Sequence, residues 1–148
     1  MRPALALLLV AGLVAAGCDR AGHPSADRTQ PDGEAGPKVY FVNIEDGQRL
    51  TSPFKIVFGL KDHGIAPAGV DLPATGHHHL LIDTQMSEEA MRFAIPKDDQ
   101  HRHFGGGQTE TVLDLPPGRH RLQLLLGDAN HRPHDPPIIS APLTVIVE

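Results

Sequence analysis

The chain contains a single cysteine, Cys18, a single tyrosine and no tryptophan among its 148 residues. If Cys18 is modified, the rest of the protein has no thiol, which excludes a disulfide, a thiolate metal ligand and a cysteine nucleophile. The chain has no basic run and no aromatic platform, and its formal net charge is −5. These properties argue against a nucleic-acid partner.

Residues 1–17 have the layout of a secretory signal peptide, because the positive start is followed by an apolar run that is too short to span a bilayer. The stretch "LVAAGC" resembles the lipobox of bacterial lipoproteins, in which the cysteine becomes diacylated after cleavage. An ordinary signal peptide that contains a cysteine is the alternative. We expect Cys18 to attach the protein to a membrane facing the periplasm, and Asp19 favours the inner membrane over the outer.

Residues 18–37 are rich in Pro, Gly, Ala and charge, which predicts a flexible tether between lipid and domain. Residues 38–148 have the length of one small domain. Large apolar residues alternate with Lys55, Val57 and Gly59 over 54–60, which predicts a half-buried strand. Further strands are expected at 38–44, 77–83 and 109–115, after the "PPG" turn, and in the closing "APLTVIVE".

Short strands separated by turn signals, with little helix, predict an all-β fold, an immunoglobulin-like antiparallel β-sandwich. The stretch "SEEAMRFA" predicts about two turns of helix, with Ser87 as its cap. In "LPPGRHRLQL", His120 stands where such sandwiches carry a corner aromatic residue. A corner histidine bonded to backbone is favoured there over a metal ligand.

The sequence "GHHHLLID" places three of the ten histidines of the chain side by side. Alternate residues of a strand project from the same face, so His77 and His79 can converge on one ion. His78 points to the other face with Leu80 and Ile82, which makes it a structural residue.

Two more histidine pairs have spacings suited to a metal: "HRH", which precedes a glycine run, and "HRPH", which lies in a proline-rich loop. The candidate ligands are therefore His77, His79, His101, His103, His131 and His134. Carboxylates beside them would fix the imidazole tautomers, namely those of Asp83, Asp128 and Asp135. The alternative is that these rings satisfy backbone groups in polar loops, and His63 is expected to be a solvated histidine.

Imidazole ligands without sulfur suit Cu(II) or Zn(II), and the usual affinity order favours copper. Without a cysteine ligand a blue-copper centre is excluded, and Cu(I) lacks its preferred sulfur. The cofactor predicted from the sequence is therefore a copper or zinc ion.

Three segments, "GVDLPATGHHHLLIDT", "HFGGGQTETVLDLPPGRHRLQLLLGDANHRPHDPPIIS" and "LTVIVE", resemble a bacterial domain-of-unknown-function family that is built around the GHHHLLID motif. Its members are small secreted or lipid-anchored domains, some labelled rod-shape-determining. The resemblance implies no established activity.

Three functions remain open at this point. The first is a periplasmic metal-binding lipoprotein for copper or zinc handling. The second is a metal-free envelope interaction module that contacts another envelope protein. A copper or zinc redox enzyme is the third and is less favoured, because superoxide dismutases of this general fold rely on a disulfide and no hydrolase signature is present.

Overall fold

A computed structural model describes residues 36–148, and the signal segment, Cys18 and most of the proposed tether lie outside the described residues. The strands are β1 (Lys38–Phe41), β2 (Arg49–Leu50), β3 (Phe54–Lys61), β4 (Gly64–Ile65), β5 (Thr75–Ile82), β6 (His101–His103), β7 (Glu110–Leu113), β8 (Gly118–Gly127) and β9 (Leu143–Val147). One short 3-10 helix, Ala90–Arg92, lies between β5 and β6. No helix within residues 36–148 is both long and apolar enough to cross a membrane.

The strands form two sheets. The smaller sheet has the order β1-β3-β7, and the larger has the order β2-β9-β8-β5-β4, with β6 also paired to β5. Most pairs are antiparallel, whereas the two-residue strands β2 and β4 pair in parallel with β9 and β5. The predicted all-β antiparallel sandwich is confirmed.

The core lies between the two sheets and is aliphatic, with three phenylalanines. On β3, Phe54, Ile56 and Phe58 are buried while Lys55 is exposed, as the alternation in the sequence predicts. From the larger sheet the core receives Leu80, Ile82, Leu122, Leu124, Leu126, Val145 and Val147. Removal of this apolar surface from water is the main stabilising term of such a fold.

The outer face of the larger sheet is also covered, which alternation alone does not predict. Leu81 and Leu125 point away from the sandwich core but are fully buried. Ile95 lies in the β5–β6 connection and is 5% exposed. Its backbone N–H donates to the carbonyl of His131 at 2.7 Å, so two loops join over this face. Side chains on both faces of β5 are therefore shielded from water.

The predicted two turns of helix after Ser87 are wrong, because the segment forms only one 3-10 turn. The Oγ of Ser87 still accepts the N–H of Ala90 at 3.2 Å. Helix nucleation is unfavourable in so short a segment. Two residues after Phe93, the chain instead places Ile95 against the sheet.

The histidine of the predicted corner, His120, is structural. Its Nε2 donates to the carbonyl of Pro116 at 2.8 Å, and its Nδ1 lies 2.7 Å from Oδ2 of Asp83. Burial of the ring opposes the charged form, but these two acceptors outweigh it and raise the pKa of His120. The preference for a corner histidine over a metal ligand is confirmed.

Candidate metal centre

The three consecutive histidines of β5 project to both faces of the larger sheet, and all are at most 1% exposed. His78 points into the sandwich core, where its ring centre lies 5.1 Å from that of Phe58. His77 and His79 point to the outer face, beneath the two loops. The opposite orientation expected for His78 is confirmed, and it follows from the two-residue period of a strand.

A third ring comes from β6 and a fourth from a loop. The register pairs His103 with His79 across neighbouring strands, which brings their ring centres to 5.1 Å. His131 follows β8 in a left-handed conformation with φ of 64°. This turn is held by Asp128, whose Oδ1 accepts the backbone N–H groups of Asn130 and Arg132 at 2.7 and 2.8 Å.

Together these four rings form a compact histidine cluster, defined as His77, His79, His103 and His131. Five of its six ring-centre distances lie between 4.6 and 5.1 Å, and the sixth, from His79 to His131, is 6.1 Å. Four imidazoles bound tetrahedrally at about 2.0 Å to one ion would have ring centres roughly 5 Å apart. Potential ligand nitrogens of His77, His103 and His131 all lie within 4.8 Å of one another.

Two glycines provide the space for these rings. A Cβ atom at Gly127 would lie 2.7 Å from Nε2 of His79, and one at Gly105 would lie 2.2 Å from Cε1 of His103. Any other residue would displace the rings or the backbone. Gly105 belongs to the run that the sequence suggested for a close approach, and Gly127 faces His77 across the β5–β8 pair.

Most nitrogens of the histidine cluster are buried without a hydrogen-bond partner in the described part of the chain. This holds for both ring nitrogens of His77 and of His79, and for Nε2 of His103. Buried polar atoms are normally hydrogen-bonded, and leaving one without a partner costs about 1–3 kcal/mol. Several such atoms at one place indicate a site where a bound ion or ligand would supply the missing partners.

Three rings of the cluster, those of His77, His79 and His103, have lowered pKa values and are mainly neutral near pH 7. Burial, followed by the charges of His103 and His131, lowers the pKa of His77 to about 4. Burial, followed by the charge of His77, lowers the pKa of His79 to about 3. Burial also lowers the pKa of His103. Neutral imidazole is the form that binds metal, so protons compete weakly for these nitrogens.

The other two candidate ligands lie outside the histidine cluster. His101 pairs with Leu81, two residues along the strand pair from His103 and on the same face. His134 lies beside His63, with ring centres 5.3 Å apart, and its Nε2 is also buried without a partner in residues 36–148. Burial lowers the pKa of His134, and the charge of His63 lowers it further. His63 was expected to be merely solvated, and it instead contacts His134.

The carboxylates suggested by the sequence serve other groups. Asp83 contacts His120 and the backbone N–H of Arg121. Asp128 shapes the loop of His131, and Asp135 has no hydrogen bond to a histidine ring within the described residues. Sequence reasoning missed Asp98, whose Oδ1 lies 2.8 Å from Nδ1 of His101. An aspartate three residues before a histidine was the signal that could have found it.

His78 is the remaining buried histidine. Burial lowers its pKa, against a smaller opposing effect of the nearby backbone of Gln108 and Gly59. Neither backbone group meets hydrogen-bond geometry with the ring. Packing against Phe58 therefore accounts for its position better than a hydrogen bond does.

Comparison with known proteins gives a family. No curated protein matches the sequence. Among solved structures, an endo-beta-1,4-mannanase from Thermotoga petrophila has a TM-score of 0.44 and 13% identity. That match covers 80% of this chain but only 21% of the mannanase chain. A family model described as "Domain of unknown function (DUF4399)" matches residues 56–148, well over half of the sequence, and the chain belongs to this family.

Proposed function

We propose that this protein is a periplasmic lipoprotein that binds one Cu(II) or Zn(II) ion through its histidine cluster and serves in metal handling. The observation that carries the proposal is the convergence of nitrogens from His77, His103 and His131 within 4.8 Å. The ring of His79 lies beside this group, with centres 4.9 Å from His77, 5.1 Å from His103 and 6.1 Å from His131, and would be the fourth ligand.

The donor set selects the class of ion. Imidazole nitrogens without sulfur suit divalent zinc, copper or nickel, and do not suit Cu(I). Near-tetrahedral spacing of the rings favours zinc, whereas Cu(II) prefers tetragonal geometry and gains from the general affinity order. Competition between the two ions therefore belongs in the first experiment.

The histidine cluster fits a role in metal handling better than a role in catalysis. Catalytic zinc sites keep an open position for water or substrate, whereas His79 as a fourth ligand would close the coordination sphere. The lipobox-like "LVAAGC" supports a lipid anchor at Cys18 and thus a place in the envelope.

A metal-free interaction module is the second candidate, and the smaller sheet favours it. Its outer face carries Tyr40, Val42 and Val112, which are 41%, 57% and 59% exposed. Exposed apolar side chains that gather on one face are typical of contact surfaces. This candidate accounts for that face but leaves the buried nitrogens of His77 and His79 unexplained.

The test uses residues 19–148, which lack the signal segment and the cysteine, purified without a histidine tag. Metal content is measured first, followed by competition titration with Zn(II) and Cu(II). We expect one ion per chain with a dissociation constant below about 1 μM, and loss of this binding in His77→Ala/His103→Ala. His63→Ala is the matched control, because His63 contacts His134 rather than the histidine cluster.

Two results would contradict the proposal. One is binding weaker than about 1 μM for both ions in the wild type. The other is equal loss of affinity in the control and in the double variant. Either result would favour the metal-free interaction module. The next experiment would then be capture of an envelope partner on the exposed face of the smaller sheet.

A further inference from the structure

A cavity of about 460 Å³ opens beside the histidine cluster at strand β6. His101 and His103 both line it, together with the carboxylates of Asp98, Asp99 and Glu110. Lys97 and Arg102 also line it, and Glu110 is paired with Lys55 at 2.7 Å. The cavity thus touches solvent-exposed charges as well as His103, whose Nε2 is buried within the cluster.

His101 is oriented at this cavity by a fixed carboxylate. Oδ1 of Asp98 lies 2.8 Å from its Nδ1 and also accepts the backbone N–H groups of Gln100 and His101, both at 2.9 Å. Because Asp98 is an acceptor, the neutral ring of His101 carries its hydrogen on Nδ1 and keeps the free lone pair on Nε2. A carboxylate behind an imidazole is the usual support of a histidine that binds metal.

His101 lies beside the histidine cluster but is not one of its four rings. The four rings of the cluster have centres 4.6–6.1 Å apart, whereas the ring of His101 forms no such close pair with any of them in the described residues, so His101 lies outside the four-ring set. Its side chain is 12% exposed, whereas His77 and His79 are at most 1% exposed. His101 and His103 both line the cavity, so an ion in the cavity can bind His101 and then reach the cluster through His103.

We propose that His101, positioned by Asp98, is the receiving ligand of the metal centre: a hydrated divalent cation binds its Nε2 first and then transfers to His103 and the buried cluster. This inference rests on the proposed metal-binding function. The transfer is ligand exchange without redox change. Nε2 of His101 replaces a bound water, His103 replaces another, and His101 dissociates as the remaining rings bind.

On this proposal, His101 sets the rates of metal binding and release, whereas His103 contributes to the affinity. A receiving ligand lowers the barrier in both directions, so its removal slows binding and release by the same factor and leaves the affinity unchanged. Removal of a resident ligand instead accelerates release and weakens affinity. Rates and dissociation constants measured together therefore separate the two roles.

The experiment is stopped-flow binding of Zn(II), and its release to an excess of chelator, on untagged residues 19–148. For His101→Gln we expect association and dissociation to slow by about tenfold each, on the scale at which altered histidine support changes metal sites. The dissociation constant should stay within about threefold of the wild type, well under 1 kcal/mol. Asp98→Asn should give a smaller slowing, and His103→Gln should lose affinity.

His63→Gln is the matched control and should leave both rates unchanged. Unchanged rates in His101→Gln would overturn the receiving role while leaving the metal centre intact. A loss of affinity in His101→Gln as large as that in His103→Gln would also overturn it, by making His101 a resident ligand. A wild type that binds no zinc or copper would overturn the proposed function and this inference together.

Discussion

The ring of His79 lies directly over the backbone of Gly127, where a Cβ atom would be 2.7 Å from its Nε2. The same Cβ would lie 3.3 Å from Cδ1 of Ile95, so the loop that carries Ile95 packs close to the same point. Gly127 and the loop that carries Ile95 together limit the positions that the ring of His79 can occupy. The position of this ring in the histidine cluster thus depends on a residue that has no side chain.

Gly127→Ala is expected to weaken zinc binding and to destabilise the domain by about 1–3 kcal/mol, the usual cost of overpacking. Competition titration and urea unfolding measure the two effects. Gly64→Ala is the matched control, because its added Cβ meets only Cγ2 of Thr75 at 3.2 Å and Ala74 at 3.9 Å. Unchanged zinc affinity in Gly127→Ala would show that His79 is not a ligand.

Asp128→Ala should weaken zinc binding without touching a ligand. Its carboxylate holds the turn that places His131 at φ of 64°, and hydrogen bonds to a charged group are worth about 1.5–3 kcal/mol each, so a loss of tenfold or more is expected. Asp128→Asn keeps an oxygen acceptor and should lose less affinity. Equal losses in the two variants would mean that the charge of Asp128 acts on the site, and not its geometry.

The pair of His120 and Asp83 should make part of the stability depend on pH. The pKa of His120 is raised above its usual value of 6.5, because its two acceptors outweigh burial. Its contribution is therefore fully present below pH 6.5 and is lost as the pH rises through the raised value. The difference in free energy of unfolding between wild type and His120→Gln should be largest below pH 6.5. A difference that grows towards alkaline pH would contradict the assignment.

His79→Leu should stabilise the metal-free protein, or leave it neutral, while weakening metal binding. The leucine would replace two buried nitrogens that have no partner in the described residues, and it would lie opposite Leu125. The pKa of His79 is lowered to about 3, so in the wild type the metal-free fold loses stability as the pH falls from 6.5 towards that value.

Urea unfolding of metal-free and zinc-loaded protein at pH 5 and 7 measures both the stability of the metal-free fold and the stabilisation by zinc. Zinc at a hundred times its dissociation constant should stabilise the wild type by about 2.7 kcal/mol, and the variant by less. A variant that is strongly destabilised without metal would show that His79 is held by contacts that its unpartnered nitrogens do not reveal.

The fold was largely readable from the sequence because its main strands carry local signals. Alternation over 54–60 predicted β3, and the closing apolar run predicted β9. The short strands β2, β4 and β6 were not predicted, since two or three residues carry no period. The single 3-10 turn after Ser87 differs from the predicted helix because packing of Ile95 on the sheet prevails over weak local helix propensity.

The sequence by itself determined the chemistry of the site and the opposite directions of His77 and His78. Residue identity made histidine the candidate ligand, and the two-residue period of a strand is a local property of the backbone. Only the tertiary structure decided which rings meet. The register of β5 with β6 placed His103 with the cluster and His101 two residues away. A left-handed turn placed His131 in the cluster but left His134 beside His63. Register and loop closure depend on contacts distant in sequence, so no pattern within the loops could reveal them.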